Sequence, residues 1–117
     1  MMNKFKELKV WQKAIQLVTK IYSVTKNFPK EEMYGIVSQI RRCAVSIPSN
    51  IAEGAGRGGK KEFSHFLDIA KGSSFELETQ LIISTELGFL NKNGFEDINS
   101  ELDEIQKMIT GLQKSMN

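Results

Sequence analysis

The chain has one cysteine, one histidine and two prolines in 117 residues. It has no apolar run near the ~20 residues that a membrane span requires. Each scarcity excludes something. A lone Cys43 cannot close an intrachain disulfide, so a reducing compartment is expected. Two prolines, Pro29 and Pro48, leave long stretches that helices can occupy. Lys4 and Lys6 near the start have no apolar segment behind them, so no secretory signal is expected and the cytoplasm is the expected location. The length suits one domain, residues 1–117, with a core that needs neither disulfide nor structural metal.

What is present is charge of both signs, unevenly placed. Residues 1–62 hold 12 Lys/Arg and 5 Asp/Glu, whereas residues 63–117 hold 4 and 9, so a total of +2 conceals a basic half and an acidic half. Such asymmetry fits an anionic partner for the basic half. It fits equally well a basic face of one subunit meeting an acidic face of another.

Four segments repeat at helical period. The first spans about 8–26, with Trp11, Ala14/Ile15, Val18 and Ile21/Tyr22 on one side, and Phe28-Pro29 ends it. The second spans about 30–57, with Ile36, Ile40, Ala44, Ile47 and Ile51 in one row that passes Pro48 in phase, which predicts a kinked helix. A strand over 44–51 is the competing assignment, and its interior proline counts against it. The third spans about 60–90 with Phe63, Phe66/Leu67, Ala70, Ser74, Leu77 and Leu81. The fourth spans 95–116 with Phe95, Ile98, Leu102, Ile105, Ile109, Leu112 and Met116 alternating by three and four, a bundle seam. Short joints between four helices predict an all-α, antiparallel, up-down-up-down four-helix bundle with a proline-kinked second helix. The third helix has apolar residues left over. Phe75, Ile82 and Phe89 form a separate row, and such a row needs a partner, which predicts self-association.

Motifs for chemistry fail on inspection. Gly54-Ala55-Gly56-Arg57-Gly58-Gly59-Lys60-Lys61 fits G-x-G-x-x-G and most of the phosphate-binding G-x-x-x-x-G-K-[ST], but both need a strand before the loop. Here a helix precedes it, and Lys61 replaces the hydroxyl that would hold magnesium. Glu62-Phe63-Ser64-His65 spells one Glu-x-x-His pair, whereas a di-iron bundle needs two such pairs and two more glutamates. Cys43 lies beside the apolar row with no histidine near it in sequence to activate it. No catalytic residue, metal site or cofactor is expected.

The run from Gln39 through Arg41-Arg42-Cys43-Ala44-Val45-Ser46-Ile47-Pro48-Ser49-Asn50-Ile51-Ala52-Glu53-Gly54 is specific. With Trp11-Gln12-Lys13-Ala14, Phe28-Pro29, Glu62-Phe63, Phe66-Leu67, Gly72-Ser73, Glu76-Leu77-Glu78 and Gln80-Leu81, it resembles the bacterial family of ribosomal RNA intervening-sequence proteins over roughly residues 8–90. That resemblance implies a four-helix bundle assembled as a homopentamer, without catalytic residues. Relatives of the family include the accessory variability protein of diversity-generating retroelements. Expected partners are therefore the chain itself, RNA or DNA, and a reverse-transcriptase-like or other nucleic-acid-associated protein, with no membrane. The leading expectation is nucleic-acid or ribonucleoprotein binding; the alternative is a structural oligomer or protein-interaction module that binds no nucleic acid.

Three sets of residues follow. Arg41, Arg42, Arg57, Lys60 and Lys61 are the candidate nucleic-acid contacts, the last three beside the first turn of the third helix. Arg42, Ser46, Ser49, Asn50, Glu53 and Arg57 make a polar stripe that either satisfies the backbone opened by Pro48 and sets helix register, or contacts a ligand. If helices two and three form a hairpin, Arg41 lies level with Glu76 and Gly72-Ser73 lies opposite Ala44-Val45. A pair of Arg41 or Arg42 with Glu76, and a close backbone approach at Gly72-Ser73, are then predicted. Phe75, Ile82 and Phe89 are the candidate oligomer interface.

Overall fold

The computed structural model describes residues 4–116, and among them there are four α-helices and no strand. They are α1 (Lys9–Thr25), α2 (Ile36–Ala55), α3 (Lys60–Glu86) and α4 (Lys92–Ser115), with one-turn 3-10 segments at Phe5–Glu7 and Lys30–Glu32. Together they form a four-helix bundle 45 Å long. The core is the row expected on each helix, turned slightly on the first. Val10, Ala14, Leu17 and Ile21 are buried on α1, while Trp11 and Val18 are half-buried and Ile15 and Tyr22 exposed. Ile40, Ala44, Ile47 and Ile51 from α2 meet Leu67, Ala70, Leu77 and Leu81 from α3 and Ile98, Leu102, Ile105 and Ile109 from α4. Removing side chains of this size from water is the main stabilising contribution, about 1.5–3 kcal/mol each.

Helix ends depart from the expected limits for local reasons. Gly35 precedes α2 with a backbone that is not helical (φ −111°, ψ −114°), so the segment from residue 30 is a separate turn and α2 begins at Ile36. α3 stops at Glu86 because Gly88 takes a left-handed φ of 83°. The Phe89 amide then donates to the Ser84 carbonyl (2.9 Å) and the Gly88 amide to Thr85 (3.1 Å), a Schellman arrangement. α4 begins at Lys92, before the expected 95, because Asn91 is its N-cap, accepting from the Gly94 amide at 2.6 Å. Pro48 is buried inside α2.

Contacts fix the register of neighbours, with numbers rising on one helix as they fall on the next. Lys13 pairs with Glu104, and Lys20 with Asp97 and Glu101. Gln106 donates to Glu78, and Gln113 to Asp68 and the Ser64 carbonyl. α2 and α3 approach closely at Gly54, and the expected approach at Gly72-Ser73 is made by Ser73, which is buried and hydrogen-bonded to Ser46 across the interface, and not by Gly72. A Cβ on Gly54 would stand 2.7 Å from Phe66 Cβ and 3.0 Å from the Phe63 ring, while one on Gly72 would meet nothing within 4 Å.

Candidate functional site

The five candidate cations do not form one cluster. Arg41 lies in α2 and Arg57 just past its end, sixteen residues on and about 24 Å along the axis. Arg41 faces α1: its Nε donates to Thr25 Oγ1 (3.0 Å), its Nη2 to the Tyr22 carbonyl (3.4 Å), and the guanidinium lies 4.4 Å from the Tyr22 ring centroid. Arg42 is exposed and makes no ion pair among the described residues. The predicted pairing of either arginine with Glu76 is therefore absent. Arg41 stands one residue, or about 100°, around the helix from the core residue Ile40, which turns it toward α1 and away from α3.

At the other end of α2, Arg57 donates from Nε and Nη2 to Glu53 Oε2 (2.9 and 2.6 Å) and covers the Phe66 ring at 4.9 Å. Lys60 and Lys61 are exposed beside it, in the first turn of α3. Cations from other elements join them. The start of α1, the end of α2, the start of α3 and the end of α4 meet here: Phe5 shares a cavity wall with Ala52, Gly54 abuts Phe63, and Gln113 bonds to Ser64. Lys4, Lys6, Lys9, Lys60, Lys61 and Lys114 belong to this end and have no ion pair among the described residues. Glu7 and Glu62 are the carboxylates interspersed with them in sequence. By contrast, Lys13 and Lys20 are matched by α4 carboxylates, so part of the charge asymmetry is resolved within the chain. Asp97 and then Glu101, by hydrogen bonds to its ammonium, hold Lys20 above the usual lysine value.

The polar stripe separates by direction. Ser46 Oγ and Ser73 Oγ share a hydrogen bond of 2.8 Å across the α2–α3 interface, and Asn50 Nδ2 donates to the Ser46 carbonyl (2.8 Å) and hydroxyl (2.9 Å). This network ties register. It reaches the carbonyl of Ser46, two residues past the Ala44 carbonyl from which Pro48 withholds a donor. Ser49 faces the α1–α2 side with Trp11 and Val45, and Glu53 is held by Arg57. Glu76 is exposed next to Cys43, whose thiol is pushed up, first by burial and then by the Glu76 carboxylate, which makes it a poor nucleophile.

The candidate interface on α3 also changes. Phe75 and Ile82 are 51% and 45% exposed, but Phe89 lies beyond the helix end and packs on Phe28, ring centroids 5.8 Å apart. Ile69, Ile83 and Leu87 are exposed as well, about 100° further around the axis, so the surplus apolar surface is broader than the predicted row. Among the described residues, no group of three His, Cys, Asp or Glu could hold a metal, and no helix is long and apolar enough to cross a membrane. His65 lies against Phe66 at 5.5 Å.

A bundle of this kind defines an all-helical, four-helix protein, and the particular family follows from comparison. The model described as 23S rRNA-intervening sequence protein matches residues 6–111, and the chain belongs to that family. The fold is similar to the crystal structure of a protein of unknown function from the S23 ribosomal protein family of Bacteroides thetaiotaomicron. The TM-score is 0.83, with 25% sequence identity over 90% of this chain and 95% of that one. No curated protein matches the chain.

Proposed function

We propose that this protein is a non-enzymatic, self-assembling four-helix bundle that binds nucleic acid without sequence preference through the basic end of the bundle. The observation that carries the reading is the gathering of Lys4, Lys6, Lys9, Lys60, Lys61 and Lys114 at one end without ion-pair partners among the described residues. Unpaired lysines attract phosphates and release counterions on contact, so affinity falls steeply with salt. Assembly would multiply a modest patch, and the exposed α3 ridge is the surface suited to it; the family resemblance implies five copies. The ridge also favours a second reading, an oligomeric interaction module with no nucleic-acid ligand.

The test is a Lys60→Glu/Lys61→Glu variant, read by binding to duplex DNA and structured RNA and by light scattering. Affinity should fall about tenfold or more while the oligomer mass holds. Dissociation of the oligomer would assign these lysines to assembly. Absence of wild-type binding at about 50 mM salt, where phosphate contacts are strong, would leave the interaction module as the better account.

A further inference from the structure

A cavity of about 530 Å³ opens between α1, α2 and the turn that joins them, at the opposite end of α2 from Arg57. Its wall includes Tyr22, Tyr34, Arg41 and Arg42, with Met33 and Val37 between them, and carries two cations and no carboxylate. Tyr34 is 96% exposed. A tyrosine left almost wholly in water forgoes the burial its ring could gain, yet its backbone is held by a tight turn: the Met33 amide donates to Lys30 (3.1 Å) and the Gly35 amide to Glu32 (3.0 Å). Tyr22 presents a second ring, already stacked with a guanidinium that is fixed by the Thr25 hydroxyl and the Tyr22 carbonyl.

One open tyrosine ring, and a second already bearing a guanidinium, beside one fixed and one unpaired arginine match a ligand that is both planar and anionic. An apolar partner helix would have to cover Arg42 without giving it a counter-charge, which is costly. A duplex hides the faces of its bases. A single strand offers them, with a phosphate for each base, and stacking on aromatic side chains is how such strands are held without sequence preference. We infer that the groove formed by Tyr22, Tyr34, Arg41 and Arg42 is a binding site for unpaired nucleotides of single-stranded RNA or DNA, the rings stacking on bases and Arg42 meeting phosphate. This rests on the nucleic-acid reading above but uses a different surface, so the two can fail separately.

The experiment is fluorescence anisotropy with labelled oligo-uridine, oligo-deoxyuridine and a duplex of equal length, on wild type, Tyr34→Ala, Tyr34→Phe and Lys60→Glu/Lys61→Glu, with light scattering on each. Tyr34 packs against so little that its replacement leaves the fold intact. Tyr34→Ala should weaken single-strand binding about tenfold and leave duplex binding unchanged; Tyr34→Phe should keep both, since stacking needs only the ring. Oligo-deoxyuridine, which differs from oligo-uridine in the sugar alone, distinguishes RNA from DNA as the source of the nucleotides. Unchanged single-strand affinity in Tyr34→Ala would overturn the inference, as would an equal loss on duplex. A fall in oligomer mass would overturn it too, by making the groove a contact between copies. Wild type that binds duplex only would overturn this site alone, and wild type that binds neither would overturn both readings.

Discussion

The two outer faces of the bundle both expose apolar side chains, yet they differ in kind. The α1–α2 groove is concave and aromatic, with Tyr22 and Tyr34 beside two arginines. The α3 surface is mostly aliphatic: Ile69, Ile82, Ile83 and Leu87 are exposed along it with Phe75, and the charge in the shallow cavity that Ile69 and Phe75 line is the carboxylate of Glu76. Exposed apolar area alone would assign both to one task. The charge at each face separates them, because a cation beside an open ring suits an aromatic anion, whereas aliphatic surface beside a carboxylate suits protein.

Charging the ridge should have the largest effect. Phe75→Glu/Ile82→Glu removes two large half-exposed side chains from any contact and places carboxylates there. Association should weaken on the order of 3 kcal/mol, roughly a hundredfold in dissociation constant, so light scattering should report the 13.2 kDa chain. Circular dichroism should be unchanged, and an oligomer that survives would show that the ridge is not the interface. A smaller effect tests what the two faces share. Gly54→Val pushes α2 from α3, and overpacking of this kind costs about 1–3 kcal/mol, read as a lower denaturation midpoint. Unchanged stability would mean that α2 and α3 do not depend on that approach.

The smallest effect should come from a part of the bundle that belongs to neither face. Lys20→Met removes the cation between Asp97 and Glu101 and should cost about 0.2–1 kcal/mol, as partly exposed pairs do. Because the Lys20 ammonium is held above its ordinary value, its contribution is present at neutral pH and is lost as pH rises past the lysine range. The gap between wild type and Lys20→Met should therefore close in strong alkali. A constant gap would mean that packing of the side chain, not its charge, is what matters.

Helix number and core rows were legible because they depend on periodicity, which the sequence carries directly. The seam of Ile98, Leu102, Ile105 and Ile109 is buried as the alternation of three and four predicts. Ends were less legible. Gly88 is a left-handed stop whose signal is a single glycine, and Asn91 caps a helix whose first turn, Lys92-Asn93-Gly94, reads as a loop. The error over Arg41 and Glu76 has a different cause. Hairpin numbering gives the height of a residue on a helix, whereas pairing also depends on the direction it faces around the axis. The aromatic groove was hidden because its parts come from α1, the joining turn and α2, so no contiguous motif contains it. The basic end was half visible: Arg57, Lys60 and Lys61 are adjacent in sequence, but Lys9 and Lys114 arrive there only through the fold.

The ring pair of Phe28 and Phe89 has a consequence for motion. Phe28 belongs to the connection that leads into Tyr34, and Phe89 to the connection between α3 and α4, so two chain reversals are fastened to each other. Neither can wander alone. The conformational freedom that a loose turn would lose on gripping a ligand has, at this end of the bundle, already been surrendered during folding, which leaves more of any contact free energy to appear as affinity.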